Sequence, residues 1–294
     1  MNDKPHGFGV LTLASEADWQ KAIGLARSLR RSNPGVPIAV TCHPNLVPRL
    51  APHFDRIVHK RGDVSGFKHK IYLDEYTPWQ KTLFLDADIL VVKNVREALT
   101  PFSGAPYTAR GRYRDSGFSS FGMNIETVLE SIGKNQLVYV GGAGHGYFEK
   151  PQCQEFFDLA RKVMANWHSY SNPSDFTDED IVSVTMTLME LRPMPKDGFM
   201  GRVCFARKNT FHMDPLVPYC EFVEQTTGER IQPTIVHFAR WESPFYYHYH
   251  LERLAQADSG RRNLWWWVPA LREWWVMDVF RPAKRLIKRL VRNK

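Results

Sequence analysis

The stretch FLDADILVV, residues 84–92, has the apolar, β-branched composition of a buried strand but contains two carboxylates, Asp86 and Asp88. A buried charge is costly unless it is paired or binds a metal ion. Side chains at positions i and i+2 of a strand point to the same side. The pattern therefore predicts that both aspartates converge on one divalent cation, Mg²⁺ or Mn²⁺, at the end of this strand. The alternative, a surface turn with two solvated acids, fits the pattern equally well on its own.

Strand and helix patterns alternate along the first half of the chain around this stretch. The predicted strands are 7–15, 36–42, 54–59 and 80–92, and the predicted helices between and after them are 16–33, 68–76 and 94–102. Such alternation is typical of an α/β fold with a mainly parallel sheet flanked by helices. Ligands of these sheets bind at the carboxyl ends of the strands.

The second half is predicted to continue this fold after an insertion. Residues 103–135 are rich in Gly, Ser, Arg and Tyr and are predicted to be dominated by loops. The further elements predicted are strands at 137–148 and 234–241 and helices at 152–170 and 178–191. We expect a catalytic domain over residues 1–250 and a C-terminal appendage over residues 251–294.

The composition of the 294-residue chain favours a cytoplasmic protein. Its four cysteines are far apart and form no CxxC pair, which fits a reducing compartment better than a zinc cluster or a disulfide framework. The first residues lack the charged start and the long apolar run of a signal peptide. No run of about 18 apolar residues predicts a transmembrane helix.

The net charge of +8 is concentrated in the C-terminal segment 281–294, RPAKRLIKRLVRNK, which has seven basic residues and no acid. Of the 39 basic residues, 32 remain elsewhere against 31 acids, so a nucleic-acid-binding domain is not expected.

The apolar residues of the segment 281–294 share one helical stripe. Residues 263–280, just before it, hold five of the nine tryptophans. We expect this amphipathic helix to bind an anionic membrane surface at the inner face of the membrane. The alternative is a helix packed on the catalytic domain.

Four motifs in order resemble one enzyme family over roughly residues 8–245. KIYLDEYTPWQKTLFLDADILVVKNVREAL (70–99) resembles the core of GT-A glycosyltransferases, most closely glycosyltransferase family 8. VLTLASEADW (10–19), TDEDIV (177–182) and TIVHF (234–238) are similar to the family's other motifs. The resemblance implies a nucleotide-sugar donor, usually a UDP-sugar, whose diphosphate is held through Mn²⁺ or Mg²⁺. It also implies retention of configuration at the anomeric carbon and a glycan acceptor.

The resemblance carries specific roles onto residues of this chain. It implies that Asp86, Asp88 and His237 are the metal ligands, and that Lys70 contacts the donor phosphates. Without the motif, His237 would be interpreted as a core histidine and Lys70 as part of a solvated helix face. Ala14 and Ser15 match the nucleotide-contacting turn that follows the first strand.

The acids of the TDEDIV motif are the candidate catalytic residues. In retaining enzymes of this kind, a side chain here lies below the anomeric carbon, and Asp180 is preferred over Asp178 and Glu179 for that role. Glu179 stands where the family often has Gln. The alternative interpretation is that acids at a helix N-terminus stabilise the helix without a catalytic role.

The chain departs from the family near residue 140. The family usually has an Asn followed by a small residue and Gly, whereas this chain has VGGAG at 140–144. Gly142 is expected to let the backbone approach the donor sugar closely; a tight turn is the alternative. His145 is a candidate to replace the missing amide.

Two other functions compete with a metal-dependent glycosyltransferase. A sugar-phosphate nucleotidyltransferase would need a Gly-rich, basic loop after the first strand, where this chain has Ser15-Glu16-Ala17-Asp18. A non-catalytic nucleotide-sugar-binding protein on the same fold is the second alternative. The membrane-binding tail suggests a lipid-linked acceptor, as in the synthesis of surface polysaccharide or glycolipid.

Overall fold

A computed structural model describes residues 7–142, 144–171, 176–195, 198–239, 244–260 and 267–275. The strands are β1 (Phe8–Leu13), β2 (Ile38–Cys42), β3 (Arg56–His59), β4 (Lys81–Leu85), β5 (Ile89–Val91), β6 (Gly111–Arg114), β7 (Leu137–Val140), β8 (His145–Glu149), β9 (Met200–Gly201), β10 (His212–Asp214), β11 (Tyr219–Val223), β12 (Arg230–Ile231) and β13 (Ile235–His237). The α-helices are α1 (Trp19–Ser32), α2 (Val47–Leu50), α3 (Leu73–Tyr76), α4 (Val95–Leu99), α5 (Ile125–Ile132), α6 (Cys153–Ala165), α7 (Asp178–Leu188), α8 (Pro244–Ser259) and α9 (Trp267–Trp274). 3₁₀ helices lie at Pro44–Leu46, Ala51–His53, Gly66–Tyr72, Thr100–Phe102, Trp167–Ser169 and Val203–Phe205.

The described chain divides into two units, and unit 1 contains residues 7–22, 35–87 and 95–195. Its centre is a five-stranded sheet in the order β3-β2-β1-β4-β8, in which only β8 runs antiparallel to its neighbour. Buried side chains of α6 and α7 share one apolar core with the sheet residues Leu11, Phe84 and Phe148. Within that core, the ring of Tyr107 stacks 4.1 Å from that of Phe156. The predicted α/β class with a mainly parallel sheet is confirmed.

Unit 2 contains residues 23–34, 88–94 and the described residues from 198 to 275. A three-stranded sheet, β5-β13-β9, joins β13 antiparallel to β5 and parallel to β9. The antiparallel strands β10, β11 and β12 form a second sheet. Leu90 and Val236, from the first sheet, share a core with Phe222 and with Tyr247 and Leu251 of α8.

The predicted single strand at 80–92 is wrong, because the structure divides it into β4 and β5. β4 pairs with β1 and β8 in the sheet of unit 1, whereas β5 pairs with β13 in unit 2. Asp86 and Asp88 therefore lie in the turn between two strands and not on one strand. Apart from Lys81, every residue of both strands is buried, so the composition of this apolar run does not show where the pairing partner changes.

The glycine-containing strand predicted at 137–148 is also two strands, β7 and β8. Gly142 and Gly144 both have φ +62°, a conformation that side chains with a Cβ rarely adopt, and they separate the strands. β7 pairs with β6 and not with the central sheet. The predicted loop-dominated insertion 103–135 in fact contains β6 and α5.

Two predictions about the C-terminus fall partly or wholly outside the described residues. The basic segment 281–294 lies outside them, and the domain boundary near residue 250 stays a prediction. No helix among the described residues is long and apolar enough to cross a membrane.

Candidate active site

The carboxyl edge of the central sheet collects several of the predicted site residues. Ala14 follows β1, is fully buried, and donates its backbone N–H to the carbonyl of Thr41 (2.9 Å). Ser15 begins the turn into α1, in which its N–H donates to the Asp18 carboxylate. Because β1 and β4 are parallel, Ser15 and Asp86 follow strands that end at the same edge.

Lys70 holds two carboxylates together at this edge. Its Nζ lies 2.9 Å from Asp86 Oδ1 and 3.0 Å from Asp178 Oδ2. It also lies over the ring of Phe84, 5.7 Å from the centroid. Burial acts to lower the pKa of the Lys70 ammonium, but Asp178 and Asp86 outweigh burial and raise that pKa well above its usual value. Lys70 is therefore a fixed cation between the end of β4 and the start of α7.

A small cleft in unit 1 opens beside this cation. One part of its wall is charged and another is apolar, which is the usual composition of a small-molecule site. The lining residues are Lys70, Leu73, Phe84, Tyr107, Val140, Gly144, His145, Asp178, Glu179 and Val182.

Glu179 is the acid of this cleft that is poised to exchange a proton near neutrality. Its Oε1 accepts a 2.7 Å hydrogen bond from the backbone N–H of Gly142, which reaches it from the glycine turn after β7. Burial is the main cause that raises the pKa of Glu179 to about 7; Asp178 and Asp86 add to the rise, and Gly142 and Lys70 oppose it.

Asp180 has a different setting from its two neighbours, because it is the third residue of α7 and bonds back to the N-cap residue, Thr177. Its carboxylate accepts hydrogen bonds from the N–H and hydroxyl of Thr177, both 3.1 Å, and Thr177 in turn accepts from the Asp180 N–H, which completes a capping box. The side chain of Ser119 also bonds to this carboxylate, although burial still raises its pKa. Asp180 is only 2% exposed, whereas Asp178 and Glu179 line the cleft.

Asp88 and His237 are in contact within unit 2. His237 ends β13, and its Nε2 lies 3.2 Å from Asp88 Oδ1. The backbone carbonyl of Asp88 accepts a 2.9 Å hydrogen bond from the N–H of Phe238, which extends the β5–β13 pairing to the aspartate. The pairing of two buried strands thus fixes a carboxylate beside an imidazole.

Asp86 is separated from Asp88 by one residue, so the chain itself keeps the two carboxylates near each other. With His237, which contacts Asp88, these carboxylates make up the predicted set of metal ligands. Two carboxylate oxygens and one imidazole nitrogen suit a divalent cation such as Mn²⁺. The donor chemistry therefore fits a metal site at this position.

The sequence did not reveal the partners that organise the site. Lys70 was expected to face phosphates, and its contact with Asp178 was not anticipated because the two residues are far apart in the chain. The Gly142–Glu179 hydrogen bond and the wall formed by Tyr107 have no local sequence signal either. Motif order alone indicated that a lysine and an acidic helix start lie near Asp86 and Asp88.

Comparisons with known proteins identify the fold. No family model matches the chain, and no curated protein matches it by sequence. The structure is similar to that of the galactosyltransferase LgtC, solved with donor and acceptor sugar analogues, with TM-score 0.54, 15% identity, and coverage of 86% of this chain and 95% of that one. The apo structure of the bifunctional glycosyltransferase WbbM gives TM-score 0.57 at 14% identity, covering 88% of this chain and 52% of WbbM. An active-site variant of LgtC, with glutamate in place of a glutamine, is also similar (TM-score 0.51, 14% identity, 86% and 95% coverage). The chain has a glycosyltransferase fold, while membership of family 8 stays a prediction.

Proposed function

We propose that this protein is a metal-dependent glycosyltransferase that transfers a sugar from a nucleotide-sugar, most simply a UDP-sugar, to a glycan or lipid-linked acceptor. The observation that carries the proposal is the cleft at the carboxyl edge of the parallel sheet, where Lys70 joins Asp86 to Asp178 beside Glu179. The fold shared with LgtC and WbbM supports the same reaction class.

Asp86, Asp88 and His237 would hold the cation, Mn²⁺ or Mg²⁺. When bound, such an ion neutralises the negative charge that develops on the diphosphate leaving group. Lys70 would add a second positive charge at the same edge. Because its two carboxylate partners already hold its ammonium in place, the side chain would lose little conformational entropy when the donor binds. Ala14 and Ser15, which follow β1 at that edge, would contact the nucleoside.

The donor sugar would occupy the cleft between Lys70 and Glu179. Glu179 would bind a sugar hydroxyl or stabilise positive charge at the anomeric carbon, depending on its protonation. Gly142, whose N–H fixes the Glu179 carboxylate, and the positive-φ Gly144 would let the backbone approach the sugar. Asp180, as the helix cap, would position Asp178 and Glu179; a direct catalytic role for it stays a prediction. Retention of configuration is expected from the family resemblance alone.

The two competing functions have less support. A nucleotidyltransferase would bind phosphates with a basic glycine-rich loop after β1, but that turn contains Ser15 and is closed by the acid Asp18. A non-catalytic binding protein would not need a carboxylic acid whose pKa lies near 7 in its cleft.

We further propose that the protein binds the inner face of an anionic membrane, where a lipid-linked acceptor of surface polysaccharide or glycolipid synthesis would be presented. Among the described residues, α9 exposes Val268, Leu271 and Trp274, and α8 exposes Phe245. The ring centroids of Phe245 and Trp274 are 6.2 Å apart, so the apolar side chains adjoin one another. The basic segment 281–294 follows in the sequence.

Calorimetry with UDP and a UDP-sugar hydrolysis assay test the proposal, each with and without Mn²⁺. We expect UDP binding that depends on the metal, and slow hydrolysis that EDTA abolishes. Metal-independent UDP binding would overturn the metal role, and metal-dependent binding without any hydrolysis or transfer would favour the non-catalytic alternative. A panel of nucleotide-sugars screened by thermal stabilisation with Mn²⁺ would identify the donor.

A further inference from the structure

The turn between β6 and α5 exposes two phenylalanine rings. Phe118 is 63% exposed and Phe121 is 56% exposed, three positions apart on the same turn. The backbone of the turn is closed by two hydrogen bonds, from Ser119 N–H to the carbonyl of Met123 (2.8 Å) and from Gly122 N–H to that of Ser119 (3.2 Å). Residues 118–123, which we call the aromatic tip, therefore hold the rings on an ordered backbone.

Polar contacts tie the aromatic tip to the start of α7. The Ser119 hydroxyl accepts hydrogen bonds from the backbone N–H groups of Phe121 (3.3 Å) and Met123 (3.0 Å). The same side chain bonds to the buried carboxylate of Asp180. The tip is thus anchored to the helix turn whose preceding residues, Asp178 and Glu179, line the cleft.

A second set of contacts ties the aromatic tip to the glycine turn after β7. The Tyr139 hydroxyl accepts from the N–H of Ser120 (3.2 Å) and lies 2.9 Å from the Ser120 hydroxyl. A Cβ built on Gly141 would lie 2.6 Å from the Tyr139 hydroxyl, so the tyrosine ring packs directly on the glycine backbone. The next residue, Gly142, donates to Glu179. Both sets of contacts therefore connect the aromatic tip to Glu179 or to residues next to it.

We propose that Phe118 and Phe121 form a stacking platform for a pyranose ring of a glycan acceptor. This inference rests on the proposed glycosyltransferase function. The negatively polarised faces of aromatic rings attract the polarised C–H groups of a sugar face. The turn that exposes these rings is hydrogen-bonded to Asp180 and Tyr139, which adjoin residues of the donor cleft. Such a position fits an acceptor, which must enter from solvent and meet the donor there. Stacking on a C–H face tolerates different sugars, so simple disaccharides should bind.

Saturation-transfer NMR with lactose and with maltose, in the presence of UDP and Mn²⁺, tests the platform on the full chain. We expect both sugars to show signals that are strongest on the C–H protons of one ring face. Phe118→Ser and Phe121→Ser should each weaken sugar binding about threefold to tenfold, the factor expected for removing one stacked ring. Phe121→Leu, which keeps apolar bulk but removes the aromatic face, should weaken binding nearly as much.

Tyr113→Ser is the matched control. Tyr113 is 52% exposed on the neighbouring strand β6, and it pairs with Val138, so it lies on the opposite face from Tyr139. Its replacement should leave the sugar signals unchanged. Absence of signals in the unsubstituted protein, equal signals in all variants, or equal loss in the control would overturn the platform. So would loss of vesicle binding or of self-association in the Phe variants with unchanged sugar signals.

Donor assays on the same variants separate this inference from the proposed function. Because neither ring lines the donor cleft, UDP binding and UDP-sugar hydrolysis should be unchanged in Phe118→Ser and Phe121→Ser. If these donor activities persist while the sugar signals are insensitive to the substitutions, only the platform is wrong. If the unsubstituted protein shows neither donor binding nor hydrolysis, the proposed function and the platform both fail.

Discussion

Asp86 and Asp88 are two residues apart in the chain, yet their surroundings differ in charge. Asp86, at the end of β4, lies 2.9 Å from the Lys70 ammonium, which also contacts Asp178. Asp88, before β5, lies 3.2 Å from the imidazole of His237, which carries a positive charge only when it is protonated. The first region has its own cation, whereas the second offers a carboxylate and an imidazole nitrogen. Metal binding should therefore depend most on Asp88, and Lys70 should organise the acids around Asp86.

Asp88→Asn should have the largest effect, because it removes the charged ligand from the region without a permanent cation. We expect a loss of activity of about 100-fold or more, since leaving-group stabilisation by a metal contributes several kcal/mol. The asparagine keeps the size of the side chain, and the Asp88 contact with Phe238 uses backbone atoms only, so the fold should persist.

UDP-sugar hydrolysis, Mn²⁺ titration and a thermal melt of the Asp88→Asn variant check this expectation together. An unchanged melting temperature with lost metal affinity supports the assignment. Full activity in the variant, or in excess EDTA, would show that Asp88 is not a metal ligand. The surroundings of Asp86 and Asp88 would then not differ in their importance for metal binding.

Lys70→Met should destabilise the protein because Asp86 and Asp178 are then left together without a cation. Breaking a fully buried ion pair costs about 3–5 kcal/mol. The side chains of Lys70 and Asp178 are 23% and 18% exposed, so we expect a smaller loss in the free energy of unfolding, about 2 kcal/mol, after allowance for solvent screening.

Adding Asp178→Asn to Lys70→Met should recover about half of that stability, because it relieves the repulsion between the two acids. Urea unfolding of the single and double variants measures the coupling. UDP-sugar hydrolysis should stay low in the double variant, since the charge of Lys70 is still absent. Recovery of activity along with stability would show that Lys70 acts only as a structural cation.

Glu179→Gln should remove a pH dependence of stability that lies between about pH 4.5 and pH 7. The pKa of Glu179 is raised from an ordinary 4.5 to about 7, so the folded protein binds this proton more tightly than the unfolded chain. Stability is therefore lost as the pH rises from about 4.5 to 7 and is constant above that range, with a total change of up to about 3 kcal/mol. The amide of glutamine imitates the protonated acid and does not titrate.

Unfolding free energies of the metal-free protein at pH 5 and pH 8 test this prediction. The unsubstituted protein should lose stability over this interval relative to Glu179→Gln, and its hydrolysis rate should change near pH 7, whereas the rate of the variant should stay flat. Parallel pH profiles of the two proteins would mean that Glu179 is ionised throughout the interval.

The sequence predicted what depends on local pattern and motif order. β1, α1, β2 and β3 lie within the predicted ranges, and Asp88 and His237 are in contact, while their roles as metal ligands stay a prediction. Motif order works for Asp88 and His237 because they adjoin β5 and β13, and the pairing of these two strands brings them together.

The sequence could not predict the division of 80–92 between two sheets. An apolar strand buried in either sheet has the same composition, and only its pairing partners, β1 and β8 for β4 or β13 for β5, distinguish the two halves. The contacts of Lys70 with Asp178 and of Gly142 with Glu179 depend on tertiary structure for the same reason. The sequence shows glycines at 142 and 144, but only their positive φ angles show that a strand ends there.

Asp180→Asn should have the smallest effect, and it tests whether the third acid belongs with the other two. Its carboxylate caps α7 through Thr177 and also bonds to Ser119, so the substitution should lower the free energy of unfolding by about 1 kcal/mol, as for other helix caps. Hydrolysis should fall only a few-fold, because Asp178 and Glu179 keep their places in the cleft.

Thr177→Ala is the matched control, since it weakens the same capping box without changing an acid. Equal effects of both substitutions on urea unfolding and on hydrolysis would confirm the capping role. A loss of turnover much greater in Asp180→Asn than in Thr177→Ala, with equal stability, would instead place the Asp180 carboxylate among the reacting groups.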